Sequence, residues 1–248
     1  MNVEELLALA GLVGAVLLGS ALQRTTGVGF ALVAAPFLVA LLGPFNGILV
    51  VNLFGMLTAL LVFFRVFRRV EYKRVFWLLL PALVATIPGA WVAVNVPPAE
   101  LSVVVGVLII IALAGSFLIR RRTFASGRGG ALAGGLASGF MNVTAGVGGP
   151  AITAYAVASR WPQHQFAASV QLYFCVLGAG SMLAKFSLPT LDAPQWAGTA
   201  VGLVAGIIAG EVLGRRVSAV LARRVVIGLA FLGAMIVMLQ GLVDLAGS

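Results

Sequence analysis

The chain has 248 residues, of which 61% are hydrophobic and 9% are charged, and its formal net charge at pH 7 is +9. A soluble domain of this size needs more polar surface, so the composition predicts an all-α polytopic membrane protein. The single cysteine excludes an internal disulfide and a multi-cysteine metal site, and the single histidine excludes a bis-histidine haem. No cofactor is expected.

A series of apolar runs follows along the chain. They cover residues 6–22, 29–42, 45–66, 75–95, 99–119, 130–142, 150–159, 165–186, 195–212 and 225–243. A membrane-spanning helix needs about 20 residues, and six runs are predicted to span: 45–66, 75–95, 99–119, 165–186, 195–212 and 225–243. The remaining runs form two broken segments, 6–42 and 130–159. Each is predicted to be a hairpin that enters the membrane, breaks and returns.

The basic residues predict the topology. Of the 16 Lys and Arg residues, all except Arg24 and Lys185 lie in four stretches between apolar runs. The stretches are 65–74, 120–128, residue 160 and 215–224. The positive-inside rule explains them as cytoplasmic loops, so no nucleic-acid partner is expected. With these loops inside, the chain is predicted to be a multi-pass protein of a bacterial inner membrane with both termini outside.

The same topology divides the chain into two repeats of opposite orientation. The first repeat covers residues 1–119, a basic cytoplasmic linker covers 120–129, and the second, inverted repeat covers 130–248. Each repeat is predicted to be a broken helical hairpin followed by three spanning helices, which gives about 8–10 membrane segments. The triplet Gly-Val-Gly occurs in both hairpins, and inverted repeats with broken helices are typical of secondary transporters.

The two breaks are predicted to face each other near mid-membrane and to bind a small anion. A glycine-rich break leaves N–H groups free at the start of the next half-helix, where the helix dipole attracts negative charge. Arg24 would offer a bidentate fork to an oxyanion, or else serve as a structural residue that caps carbonyls. Asn52 and Gln171 are either donors to the anion or partners in interhelical hydrogen bonds. The predicted substrate-binding residues are Gln23, Arg24, Thr25, Thr26, Gly27, Gly29, Asn52, Asn142, Thr144, Gly146, Gly148, Gly149 and Gln171.

Two further charged residues lie near the ends of apolar runs, and each has two interpretations. Glu211 is either the i,i+4 ion-pair partner of Arg215 or a carboxylate that couples transport to protons. Lys185 either snorkels to the membrane interface or attracts anions to an outer vestibule. The sequence has no catalytic triad, Walker loop or metal-ligand cluster, so an enzyme is not expected.

The motifs at the two breaks resemble those of a known family. They read Gln23-x-x-Thr26-Gly27-Val28-Gly29-Phe30-Ala31-Leu32-Val33-Ala34-Ala35-Pro36 and Gly146-Val147-Gly148-Gly149-Pro150. This pattern is similar to the TauE/SafE sulfite exporter family, also called the 4-toluene sulfonate uptake permease (TSUP) family, and to its Gly-x-Gly-Phe subgroup. The resemblance implies transport of small sulfur-containing anions such as sulfite, thiosulfate, sulfoacetate or other organosulfonates, without an ATPase partner.

The sequence therefore predicts a secondary transporter that moves a small sulfur-containing anion by alternating access. Protons or another ion are the expected coupling partners if the anion is taken up. The alternatives are an anion channel of the same architecture and a membrane scaffold or assembly protein. The substrate, the direction of transport and the oligomeric state stay open at this point.

Overall fold

The computed structural model describes residues 3–26, 29–118 and 127–247, and these ranges contain helices and connecting segments but no strand. The helices are α1 (Val3–Thr26), α2 (Gly29–Leu42), α3 (Pro44–Val66), α4 (Tyr72–Asn95), α5 (Pro98–Leu118), α6 (Gly127–Ala145), α7 (Gly149–Ala158), α8 (Gln163–Lys185), α9 (Ala193–Arg216) and α10 (Ala219–Gly247). A short 3-10 turn, Phe67–Arg69, follows α3.

Within the described residues, seven helices are long and apolar enough to cross a membrane. Six of them, α3, α4, α5, α8, α9 and α10, are the predicted spanning helices. The seventh is α1, which the sequence analysis assigned to a hairpin. It reaches this length because the helix continues through the polar residues Ser20 and Gln23. The prediction of an all-α polytopic membrane protein is confirmed.

Both predicted breaks interrupt a helix in the structure. The first separates α1 from α2, and the second separates α6 from α7. The arms that follow the breaks are short, with 14 residues in α2 and 10 in α7. Because a full crossing needs about 20 residues, these arms are too short to cross alone. Residues 145–150 are buried, so the second break lies within the protein.

The helices pack in pairs that join the two halves of the chain. α1 packs along α9, α6 packs along α4, α5 lies against α10, and α3 lies against α8. Exchanging the halves converts the first pair into the second and maps each of the other two onto itself. Two repeats would pack in this way, although their inverted relation stays a prediction.

Glycines permit the closest of these contacts. A Cβ on Gly139 of α6 would collide with the backbone of Ala82 in α4, and one on Gly206 of α9 would collide with the backbone of Leu17 in α1. Small residues that let helix backbones approach closely are the usual basis of helix packing in membranes, because the hydrophobic effect does not drive helices together within lipid.

The outward faces are strongly apolar. Ile87 is 69% exposed, Trp91 66% and Val201 66%. Large apolar side chains in such numbers on the surface fit contact with lipid tails, since a monomeric soluble protein rarely exposes wide apolar patches. Several polar side chains, among them Asn52, Asn142 and Gln171, are buried inside the protein.

Candidate functional site

The break between α6 and α7 is built around Gly146. This residue has φ +75, a left-handed conformation that glycine adopts without strain. Its N–H donates to the Asn142 carbonyl at 2.9 Å, which closes the end of α6. A Cβ at Gly146 would lie 2.9 Å from Cγ1 of Val51, so the tip also has no room for a larger residue. The chain then starts α7 at Gly149, with Pro150 in its first turn.

Asn142 connects the tip of this break to α3 and α8. Its amide Nδ2 donates to Oδ1 of Asn52 at 2.7 Å and to Oγ of Ser181 at 2.9 Å. Nδ2 of Asn52 donates in turn to the Ile48 carbonyl at 3.0 Å. Asn52, Asn142 and Ser181 are all buried. Because both amide hydrogens of Asn142 are used, its side chain fixes the tip between the two helices.

The first break contributes to the same place from the other half of the chain. Gln23 is buried near the end of α1, and Phe30 is buried in the first turn of α2. The backbone of Arg24, Thr25 and Thr26 forms the end of α1, but their side chains and that of Gly29 lie outside what the structure describes. Gly27, with Val28, falls outside the described residues entirely.

One cavity borders both breaks. Its volume is about 30 Å³, which is room for about two water molecules. Its lining comes from α1, α2, α3, α6, α7 and α8: Gln23, Phe30, Ala31, Leu32, Val51, Asn52, Gly55, Met56, Asn142, Gly146, Val147, Gly149, Phe174 and Gly178. Three amides and the open start of α7 thus face a largely apolar space.

The cavity lining, as far as it is described, is electrically neutral. It contains no Asp, Glu, Lys, Arg or His. The first N–H groups of α7 have no acceptor within their own helix, so they can donate to a ligand at the break. Neutral donors and a helix N-terminus suit an anion, because they supply positive potential without burying a fixed cation.

Three of the predicted binding residues contact other parts of the protein in the structure instead of lining the cavity. The Thr144 hydroxyl donates to the Gly89 carbonyl of α4 at 3.3 Å. Gly148 packs against Ser138, whose carbonyl oxygen would lie 2.7 Å from an added Cβ. Gln171 is buried and donates to the Ala167 carbonyl at 3.1 Å, but it does not line the cavity.

The sequence reasoning missed the contribution of α8. Phe174 and Gly178 line the cavity, and Ser181 binds Asn142. Their spacing places them on one face of the helix. A signal for this existed, since the hydroxyl of Ser181 interrupts an apolar run at helical spacing from Gly178.

Glu211 lies in the last third of α9, outside the lining of the cavity. Among the described residues, no group of three or more His, Cys, Asp or Glu side chains could hold a metal ion.

Comparison with known proteins gave one match. A family model described as "Sulfite exporter TauE/SafE" matches residues 12–237 of the chain. No curated protein and no solved structure matched. The matched region contains both helix breaks and every residue of the cavity lining.

Proposed function

Because the chain belongs to the TauE/SafE sulfite exporter family, a family of transporters, we propose that it is a secondary transporter of a small sulfur-containing anion. The substrate is sulfite or an organosulfonate such as sulfoacetate, held between the two helix breaks. One observation carries the proposal: residues from both breaks line a single cavity. Gln23 and Phe30 come from the first break, and Asn142 and Gly149 come from the second.

The cavity offers an oxyanion several neutral donors. Gln23 brings an amide, and the start of α7 brings backbone N–H groups. We propose that Arg24, the neighbour of Gln23, supplies the fixed positive charge. Of the other predicted binding residues, Thr25, Thr26, Gly27 and Gly29 belong to the same tip in this proposal.

Contacts between the two halves join them near each end of α3, and in this proposal they act as the two closures of a carrier. At one end, the Trp161 indole donates to Oε1 of Glu71 at 3.1 Å, and the Glu71 N–H donates to Oγ of Ser169 at 2.9 Å. At the other end, Asn46 exchanges two hydrogen bonds with the backbone of Thr190, at 2.8 and 2.9 Å. Alternating access would open one of these closures at a time, whereas a channel would keep both open together.

We place the chain in a bacterial inner membrane with the Trp161 end in the cytoplasm and both termini outside. The basic stretches around residues 65–74 and 215–224 support this orientation through the positive-inside rule. In this arrangement, residues 1–119 and 130–248 are inverted repeats, joined by the cytoplasmic linker 120–129. Coupling to protons is assigned to Glu211, and the packing of α9 against α1 would connect that residue to the first break.

Sulfite flux into proteoliposomes that contain the full chain tests the proposal. We expect saturable uptake that is accelerated by sulfite inside the vesicles, since counterflow is the property of a carrier. Arg24→Ala should reduce uptake by about a hundredfold, in the range expected for a lost charge-assisted contact. Arg128→Ala removes the same charge from an exposed position and serves as the matched control.

The same assay separates the alternatives. Large conductance without counterflow would show a channel and refute the carrier. A folded Arg24→Ala protein with wild-type sulfite uptake would refute the role of the arginine. If the wild-type protein moves none of sulfite, thiosulfate, sulfoacetate and sulfate, transport of sulfur anions is refuted and the scaffold alternative gains support.

A further inference from the structure

Lys185, the last residue of α8, is a buried cation whose hydrogen-bonding capacity is unused in the structure. The residue is 5% exposed, and its Nζ atom is buried and has no hydrogen-bond partner among the described residues. The ring of Phe45 lies beside it, with its centroid 5.5 Å from Nζ. The ammonium group is therefore neither snorkelled to the surface nor bound to helix carbonyls.

A buried ammonium group without a hydrogen-bond partner costs free energy. A buried ammonium normally has a counter-ion or a set of acceptors, because removal from water is otherwise expensive. A face-on contact with an aromatic ring compensates only part of that loss. An anion that occupies the space at Nζ would compensate it more fully.

The position of Lys185 relates it to the cavity. Phe174 and Gly178 line the cavity, and Ser181 binds Asn142. Lys185 follows Ser181 by one helical turn on the same face of α8, about 6 Å further along the helix axis. The face of α8 that serves the cavity thus continues directly to the buried cation.

The start of α3 lies at the same place. Phe45 is the second residue of α3, after Gly43, which has φ +78, and Pro44. The N–H of Gly47 is used by the Gly43 carbonyl at 2.9 Å, but the N–H groups of Phe45 and Asn46 precede the first intrahelical acceptor. A helix N-terminus and a lysine ammonium, two features that each attract anions, therefore meet beside the Phe45 ring.

We propose that Lys185 and the start of α3 form a second oxyanion site, about two helical turns beyond Gly178, the last residue of α8 that lines the central cavity. This inference rests on the proposed function and adds a step to it. The ligand is the transported anion itself or another small oxyanion, since a single buried ammonium suits a compact charge. During uptake, an anion would bind at this second site, at the outer entrance, before it moves to the breaks. During export, it would pass through the same site after its release from the breaks.

The test uses the full-length protein in lipid nanodiscs, with sodium sulfite as the probe and sodium chloride at equal ionic strength as the reference. Calorimetric titration measures how many sulfite ions bind, and proteoliposome flux measures KM and kcat. Wild type is expected to bind two sulfite ions. Lys185→Met should bind one, with a KM for flux raised about tenfold and a kcat within about twofold of wild type. Lys185→Arg should retain both ions.

A second readout separates this role from a structural one. Methionine removes an unpaired buried charge, so Lys185→Met without sulfite should unfold at the same or a higher temperature than wild type. Sulfite should raise the unfolding temperature of wild type more than that of the variant.

The outcomes distinguish the two proposals. If wild type binds a single sulfite and Lys185→Met leaves that binding and the KM unchanged, the second site is refuted and the central site stands. A Lys185→Met protein whose kcat falls while its KM stays unchanged also refutes the second oxyanion site. If wild type binds no sulfite at all, the proposed function fails together with this inference.

Discussion

Replacement of Asn142 by aspartate tests the sign of the charge that the cavity accepts. The two side chains have nearly the same shape, so the change replaces an amide by a carboxyl with little change in packing. Asn142 lines the cavity and donates to Asn52 at 2.7 Å and to Ser181 at 2.9 Å. An anion site should lose affinity on this change, whereas a cation site should gain it.

The magnitude follows from the charge and the lost donors. An ionised carboxylate about 4 Å from a bound anion costs about 4 kcal/mol at an effective dielectric constant near 20. That energy corresponds to roughly a thousandfold weaker binding. If the carboxyl is protonated, it has one donor in place of two and leaves Asn52 or Ser181 unsatisfied, at about 1–3 kcal/mol. We therefore expect sulfite binding to weaken by about tenfold to a thousandfold.

The assay is sulfite binding to the purified protein, with thermal unfolding as the check on folding. Asn95→Asp is the matched control. Asn95 is exposed at the end of α4, where its amide donates to the Trp91 carbonyl at 2.8 Å. Sulfite affinity within about twofold of wild type in folded Asn142→Asp would refute the reasoning, since such a site is insensitive to charge.

Two more predictions concern packing and topology. Gly139→Ala places a methyl group against the backbone of Ala82 and should destabilise the fold by about 1–3 kcal/mol in thermal unfolding, whereas Gly14→Ala, which meets nothing within 4 Å, should not. Equal stability of the two variants would contradict the backbone contact between α4 and α6. In a chain with Cys175→Ser, cysteines added at the two ends should react with a membrane-impermeant reagent from outside. Protection of either end in intact cells would overturn the inverted-repeat topology.

The helix breaks could be predicted from the sequence because their cause is local. Glycine adopts a left-handed φ without strain, as Gly146 does, and Pro150 suits the first turn of a helix, so residue chemistry indicates the interruption. The six spanning helices followed for a similar reason, since length and apolarity suffice to identify them. The seventh, α1, was assigned to a hairpin because the charge-based topology put the N-terminus and Gly43-Pro44 on the same side of the membrane.

The membership of the cavity could be predicted only in part, because it depends on how helices from distant parts of the chain come together. Asn52 and Asn142 were both predicted, and they meet in one network. In the predicted repeats Gln171 corresponds to Asn52, yet it does not line the cavity. Corresponding positions in two predicted repeats need not lie at equal distances from one cavity. Ser181 was missed because its partner lies on another helix.

The neutral lining has a consequence for how transport responds to acidity. The amides of Gln23, Asn52 and Asn142 and the backbone N–H groups of α7 keep the same protonation state across the physiological range. A binding surface made of such groups offers the same polar atoms at every pH. If transport changes with pH, the described part of the cavity lining would not be the cause. The pH of the solution would instead determine which protonated form of the anion is available to bind.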